Sequence, residues 1–170
     1  MQPLISLFAL YSWAITLPFV PPTQTEMKTI TQNGMTVQWE FQEDRLLIEL
    51  NAPTQGWVAI GFNETNQLAE TYLIMASVEG NEGRVLEHWV LAPGDYRPVN
   101  MLGGPEVVEF IRGEEQESGT TICFSIPVEA QDSFRKDLRP DAPFYLLLAY
   151  SRKDDFAHHS LMRTSIFTHL

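Results

Sequence analysis

A period of two in the apolar residues, recurring in several separate segments, is the feature that most constrains how this chain folds. It runs through residues 35–41 (MTVQWEF), 45–50 (RLLIEL) and 84–91 (RVLEHWVL). Successive side chains of an extended strand point to opposite faces, so this pattern is typical of strands with one buried face. No segment sustains apolar residues at the helical spacing. The chain is therefore predicted to be all-β and antiparallel.

Polar turn signals separate nine to eleven predicted strands between residues 28 and 170. Residues 92–105, rich in Pro and Gly, and residues 152–162 are longer and are predicted to be loops. Residues 144–151 (FYLLLAYS) are almost wholly apolar, as expected for a strand in the centre of a sheet. The turn spacing is typical of a β-sandwich, although the pattern alone does not separate a sandwich from a barrel.

Composition argues against several classes of function. The chain carries 22 acidic and 11 basic residues, a net charge of -11, which repels nucleic acid and anionic lipid headgroups. No phosphate-binding glycine loop, nucleophile elbow or zinc-binding Cys/His spacing occurs, so we expect a binding module and not an enzyme. The single cysteine, Cys123, lies in an alternating segment and is expected to be a buried apolar residue.

The first 25 residues differ from the rest of the chain. Residues 4–20 are apolar with few interruptions, and two prolines follow. The segment is slightly short for a membrane span and long enough for the core of a signal peptide. We predict a signal peptide in residues 1–25, with an uncleaved anchor as the alternative, and hence a secreted or periplasmic protein.

Histidine and methionine side chains provide candidate metal ligands. The doublet His158-His159 lies in the second long loop, where one imidazole is expected to face a pocket and the other solvent. Met75, Met101 and Met162 are available thioethers. A histidine with a methionine is an axial pair that holds haem iron. Two exposed histidines without a ligand remain an equal alternative.

Several motifs together resemble the DOMON domain family, which includes the N-terminal domain of dopamine β-monooxygenase and the cytochrome domain of cellobiose dehydrogenase. The matching features are the strand GWVAIGF (residues 56–62), the Gly-Gly pair after the first long loop, the strand GTTICF (119–124) and the segment FAHHSLM (156–162). The resemblance covers roughly residues 30–170. It implies an exported immunoglobulin-like antiparallel β-sandwich, here residues 28–170, with a pocket for haem b or a sugar at one end.

The resemblance also assigns positions to the pocket. A methionine that ligates iron in the haem-binding branch corresponds to Leu68, and a position that is often Asp corresponds to Tyr72. The histidine ligand corresponds to His159 or His158, so His159 is the predicted ligand of haem iron. Aromatic residues predicted to line an apolar cleft are Trp57, Phe62, Tyr72 and Trp89. A glycan on the Asn63-Glu64-Thr65 sequon would stand on the pocket rim.

Three hypotheses follow from these features. The first is an exported module that binds haem b and transfers electrons to a redox partner protein, for instance as an accessory to an oxidoreductase. The second is a module for a carbohydrate or another small-molecule ligand without haem, which the Leu68 departure favours. The third is a structural or interaction domain without a cofactor. None involves nucleic acid, and contact with a membrane is expected only through an uncleaved N-terminal segment.

Overall fold

The computed structural model describes residues 27–80 and 82–170. Eleven strands and one short 3-10 helix (Val99–Leu102) make up its regular structure. The strands are β1 (Lys28–Gln32), β2 (Met35–Gln42), β3 (Arg45–Ala52), β4 (Val58–Asn63), β5 (Tyr72–Glu79), β6 (Glu82–Ala92), β7 (Asp95–Pro98), β8 (Glu109–Gln116), β9 (Gly119–Pro127), β10 (Pro143–Tyr150) and β11 (Met162–His169).

The strands form two antiparallel sheets packed face to face. One sheet has five strands in the order β1-β2-β3-β9-β8, and the other has six in the order β11-β10-β4-β5-β6-β7. This confirms the predicted all-β antiparallel sandwich of nine to eleven strands. The predicted N-terminal segment, residues 1–25, lies outside the described residues. Within residues 27–80 and 82–170, no helix is long and apolar enough to span a bilayer.

The main core lies between the two sheets and follows the predicted alternation. Leu46, Ile48 and Leu50 of β3 are at most 1% exposed. In β4 the residues Ile60 and Phe62 point to the same core. Because both faces of β4 and β5 are buried, the six-stranded sheet must also be covered on its outer side.

Two segments depart from the prediction. The first predicted loop contains β7, which pairs with β6 through a register shift between Val90 and Ala92. The bulge breaks the alternation there, so the sequence pattern hides a short edge strand. The same predicted loop also contains the short 3-10 helix, Val99–Leu102, whereas no helix or strand lies in the described connection at residues 129–142.

A buried ion pair fixes that connection to the six-stranded sheet. Arg135 Nε and Nη2 donate to the two carboxylate oxygens of Glu87 over 2.8 and 2.9 Å, and Tyr72 Oη donates to Glu87 over 2.5 Å. The side chains of Arg135 and Glu87 are 2% and 3% exposed. Burial opposes ionisation of Glu87, yet the hydrogen bonds from Arg135 and Tyr72 outweigh it and lower its pKa. Burial and the Glu87 charge raise the pKa of Tyr72 well above its usual value.

Candidate functional site

A cavity of about 620 Å³ lies on the outer face of the six-stranded sheet, away from the main core. Its size falls within the range of small-molecule sites. A loop at residues 151–161, here called the covering loop, lies on one side of it. A second loop at residues 63–71, here called the rim loop, contributes Leu68 and Thr71. The cavity is therefore bounded by the two loops that the sequence marked as candidate pocket segments.

Small and apolar side chains form the floor of the cavity. The register of β10, β4 and β5 places Ala149, Ala59 and Met75 side by side in one row across the sheet. All three line the cavity and are nearly inaccessible to solvent. Two alanines at the centre of a sheet leave space that larger residues would fill. The alternation in β4, with Ile60 directed to the main core, is what directs Ala59 outward.

The covering loop is seated by backbone contacts at the start of β4. Trp57 N donates to the Lys153 carbonyl over 3.0 Å, and Ser151 N donates to the Trp57 carbonyl over 2.9 Å. The Trp57 indole N–H donates to the His158 carbonyl over 3.2 Å. A side chain at Gly56 would place Cβ only 2.3 Å from Lys153 N. Glycine at this position is what allows the loop to approach the sheet.

Aromatic rings form the walls. Trp57, Tyr96 and Phe156 line the cavity, and Tyr96 Oη donates to the Phe156 carbonyl. The guanidinium of Arg84 lies 4.7 Å from the centre of the Phe156 ring, a cation–π contact that holds this wall in place. Of the four aromatic residues predicted to line a cleft, Trp57 does so.

The histidine doublet lies at the mouth of the cavity. His158 and His159 both line it, and both are exposed. The predicted arrangement of one imidazole toward the pocket and one toward solvent therefore differs from the structure, because the loop is not extended: His158 N donates to the Asp155 carbonyl over 2.9 Å. Among the described residues, no three His, Cys, Asp or Glu side chains come together as a potential metal site. Haem iron takes only one or two protein ligands.

His88 is a cavity residue that is not among the candidate ligands predicted from the sequence. It lines the cavity from β6, is 3% exposed, and its Nδ1 is buried without a hydrogen-bond partner among the described residues. Its ring contacts Tyr96 and Phe156 edge-on, with centroids 5.4 and 6.1 Å apart. Burial, aided by the positive charge of Arg84, lowers the pKa of His88 to about 4. The imidazole is therefore neutral at neutral pH.

Leu68 and Met75 approach the same cavity from different sides. Leu68 lies in the rim loop at the position where the resemblance expects an iron-ligating methionine. Its side chain is partly buried against the apolar residues on the outer face of the sheet, among them Trp57, Met75 and Phe156. Met75 belongs to the floor and is 2% exposed. A thioether is thus present in the cavity wall, although not in the rim loop.

Five residues that were predicted for the pocket do not line the cavity. Tyr72 points to the main core, where it binds Glu87, because it begins β5 on the inner face. Met101 is 79% exposed on the 3-10 helix. Met162 packs against the main core at the start of β11. The aromatic residues Phe62 and Trp89 also contact the main core, since each lies on the inward face of its strand.

The rim loop is organised by one buried asparagine. Asn63 Nδ2 lies 3.0 Å from both the Gln67 carbonyl oxygen and Thr71 Oγ1, and Thr65 N donates to Asn63 Oδ1 over 2.9 Å. Asn63 is 4% exposed. A glycan on its amide nitrogen is incompatible with these contacts, so the sequon serves to shape the rim loop.

Comparison with models of protein families gives a match. The family described as the DOMON domain matches residues 31–151, which include the rim loop and the floor and end before His158. No curated protein matches the chain. The match covers most of the 170 residues, and the fold is the two-sheet sandwich that the resemblance implied. The chain belongs to the DOMON domain family.

Proposed function

We propose that this domain is an exported haem-b-binding module for electron transfer, with haem in the cavity beside the covering loop. One observation carries the proposal: Leu68 and the pair His158-His159, the positions that the resemblance assigns to iron ligation, line the same apolar cavity. These residues are about 90 positions apart in sequence. An apolar, aromatic-walled cavity of about 620 Å³ with a few polar groups is typical of a cofactor site.

The donor set suits haem iron. His158 or His159 would supply one axial imidazole from the mouth of the cavity. His88 on β6 and Met75 in the floor are a further imidazole and a thioether that line the cavity. A ligating imidazole must be neutral, and burial keeps His88 in this form at neutral pH. When bound, haem would accept and donate one electron by cycling between ferric and ferrous iron, and the axial ligands would tune its potential.

Leu68 changes the chemistry that this family member supplies. The leucine side chain has no lone pair. Iron held by His158 or His159 of the covering loop would therefore receive no ligand from the rim loop. The iron would then have the histidine as its one protein ligand, or Met75 or His88 would supply a second. The apolar floor and aromatic walls would exclude water from the haem faces in either case.

Absorption spectroscopy tests the proposal. The protein is purified, haemin is added in increments, and the oxidised and reduced spectra are recorded. We expect a saturable Soret band that is weakened in His159→Ala or His158→Ala and unchanged in His169→Ala, which alters an exposed histidine on β11. A protein that takes up no haemin, or three variants that bind it equally, would rule out this role.

The second candidate is a module for a small molecule or carbohydrate without haem. Leu68 favours it, because the residue makes the rim apolar where iron chemistry needs a donor. Trp57 and Tyr96 offer ring faces on which a sugar could stack. This candidate would be favoured if calorimetry detects binding of a sugar and the protein stays colourless and takes up no haemin.

Export and a partner are parts of the same proposal. The apolar segment at residues 4–20 supports secretion or delivery to a periplasm. An electron-transfer module needs a donor and an acceptor, so a redox partner protein is expected. Detection of the processed chain outside the cytoplasm, with residues 1–25 removed, is the corresponding measurement.

A further inference from the structure

A smaller cavity of about 260 Å³ adjoins the larger one. The two share Leu68, Leu147 and Arg163, which therefore form their common boundary. The residues that line the smaller cavity are Asn63, Asn66, Gln67, Leu68, Tyr145, Leu147, Arg163, Thr164 and Ser165. Most of these residues carry a polar group that can form hydrogen bonds, whereas the floor next to them consists of apolar side chains.

Among the described residues that line the smaller cavity, Arg163 is the one that carries a charge. It projects from β11 in the row of Ala149, at the flank of the floor. Its neighbours Thr164 and Ser165 and the rim-loop residue Gln67 carry hydrogen-bond donors but no charge. The cavity therefore has a positive end, although the chain as a whole carries a net charge of -11.

Arg163 differs from most of the described basic residues because it forms no ion pair with a carboxylate. Seven of the 11 basic residues form an ion pair with a carboxylate. Within the described part of the chain, the basic residues without one are Arg84, Arg152, Lys153 and Arg163. Two of these four, Arg84 and Arg163, line the larger cavity. Positive charge without a carboxylate partner therefore lies beside the cavity.

The other charges around the cavity are already engaged. Asp95 lines the larger cavity and pairs with Arg97 over 3.0 Å. Arg84 is stacked on Phe156. Arg163 retains its guanidinium donors, a fork that matches the geometry of a carboxylate.

We propose that the smaller cavity is a subsite for the acid group of an amphipathic ligand. The apolar body lies on the floor of the larger cavity, and a carboxylate binds Arg163 and the adjacent hydroxyl and amide donors. The subsite deepens the proposed function, since haem b carries two propionate groups. A long-chain carboxylic acid has the same chemistry, and the experiment separates the two.

The first arm of the test uses haemin and its dimethyl ester, which lacks the free acid groups. Each is titrated into the wild-type protein, Arg163→Gln and the control Arg152→Gln, an exposed arginine that lines neither cavity. We expect the wild type and the control to prefer the acid by about tenfold, as a charge-assisted hydrogen bond allows. Arg163→Gln should lose the preference, and Arg163→Lys should keep part of it. Equal preference in wild type and Arg163→Gln would overturn the subsite.

The second arm tests the subsite with ligands other than haem. A neutral fluorescent dye, Nile red, is displaced from the cavity by dodecanoate or by dodecanol. Preference for dodecanoate that depends on Arg163, in a protein that binds no haemin, would uphold the subsite while refuting the haem function. No dependence on Arg163 with either probe, or no binding of either, would overturn the subsite. Circular dichroism of each variant verifies that the exposed substitution leaves the fold intact.

Discussion

His88 should make the stability of the domain fall in a defined interval of pH. The unfolded chain binds a proton at His88 near pH 6.5, whereas burial holds the pKa in the folded protein at about 4. Between these values the unfolded state binds more protons, so the free energy of unfolding falls as the pH falls. The interval spans about 2.5 pKa units at about 1.4 kcal/mol each, which gives about 3.5 kcal/mol in total.

A variant without the imidazole isolates this contribution. In His88→Leu the free energy of unfolding should fall by about 2.5 kcal/mol less than in the wild type between about pH 7.5 and 4.5. Carboxylates such as Glu87 titrate in both proteins and cancel in the comparison. At about pH 7.5 the two should agree within about 1 kcal/mol, because the substitution removes a buried nitrogen that has no partner.

Urea unfolding at several pH values measures the effect, with m-values compared to verify two-state behaviour. His169→Leu, an exposed histidine on β11, is the matched control and should follow the wild type. Parallel pH profiles for the wild type and His88→Leu would refute the reasoning, since His88 would then titrate alike in the folded and unfolded states.

Three further predictions concern other parts of the domain. Arg135→Met should lower the free energy of unfolding, measured with urea, by about 3–5 kcal/mol, because it leaves Glu87 charged and buried. If adding Glu87→Gln to this variant restores none of the lost free energy, the prediction is contradicted. When the protein is secreted from a host that glycosylates such proteins, Asn63 should carry no glycan, because its amide is buried. The intact mass measures this, and a glycan there would contradict the rim-loop structure. Leu68→Met should tighten haemin binding and give a six-coordinate low-spin reduced spectrum, and an unchanged spectrum would place the iron away from the rim loop.

The alternation in the sequence predicts the faces of the strands well. Leu46, Ile48 and Leu50 are buried as expected, and His88 shares the outer face of β6 with Leu86 and Val90. This succeeds because a period of two is a local property of extended backbone. The short strand β7 escaped detection, since the bulge in β6 and the surrounding Pro and Gly residues remove the local signal.

The cavity itself depends on contacts between distant residues. Its volume arises because Ala59 and Ala149 lie in one row and the covering loop is seated through Trp57. No local pattern reports either fact. The sequence marked His158-His159 as a doublet in a long loop, and the family resemblance added Leu68. It grouped them with Tyr72, whose inward direction follows from its register with β4 and from its bond to Glu87.

Filling the floor tests most directly whether the cavity is the ligand site. Haemin is titrated into the wild type, into Ala149→Phe, which would occupy the floor, and into Ala92→Phe, an exposed position at the end of β6. The account predicts at least about tenfold weaker binding for Ala149→Phe alone, because the added ring displaces the ligand from most of its apolar contact. Equal affinity for all three proteins, or no uptake by the wild type, would contradict it.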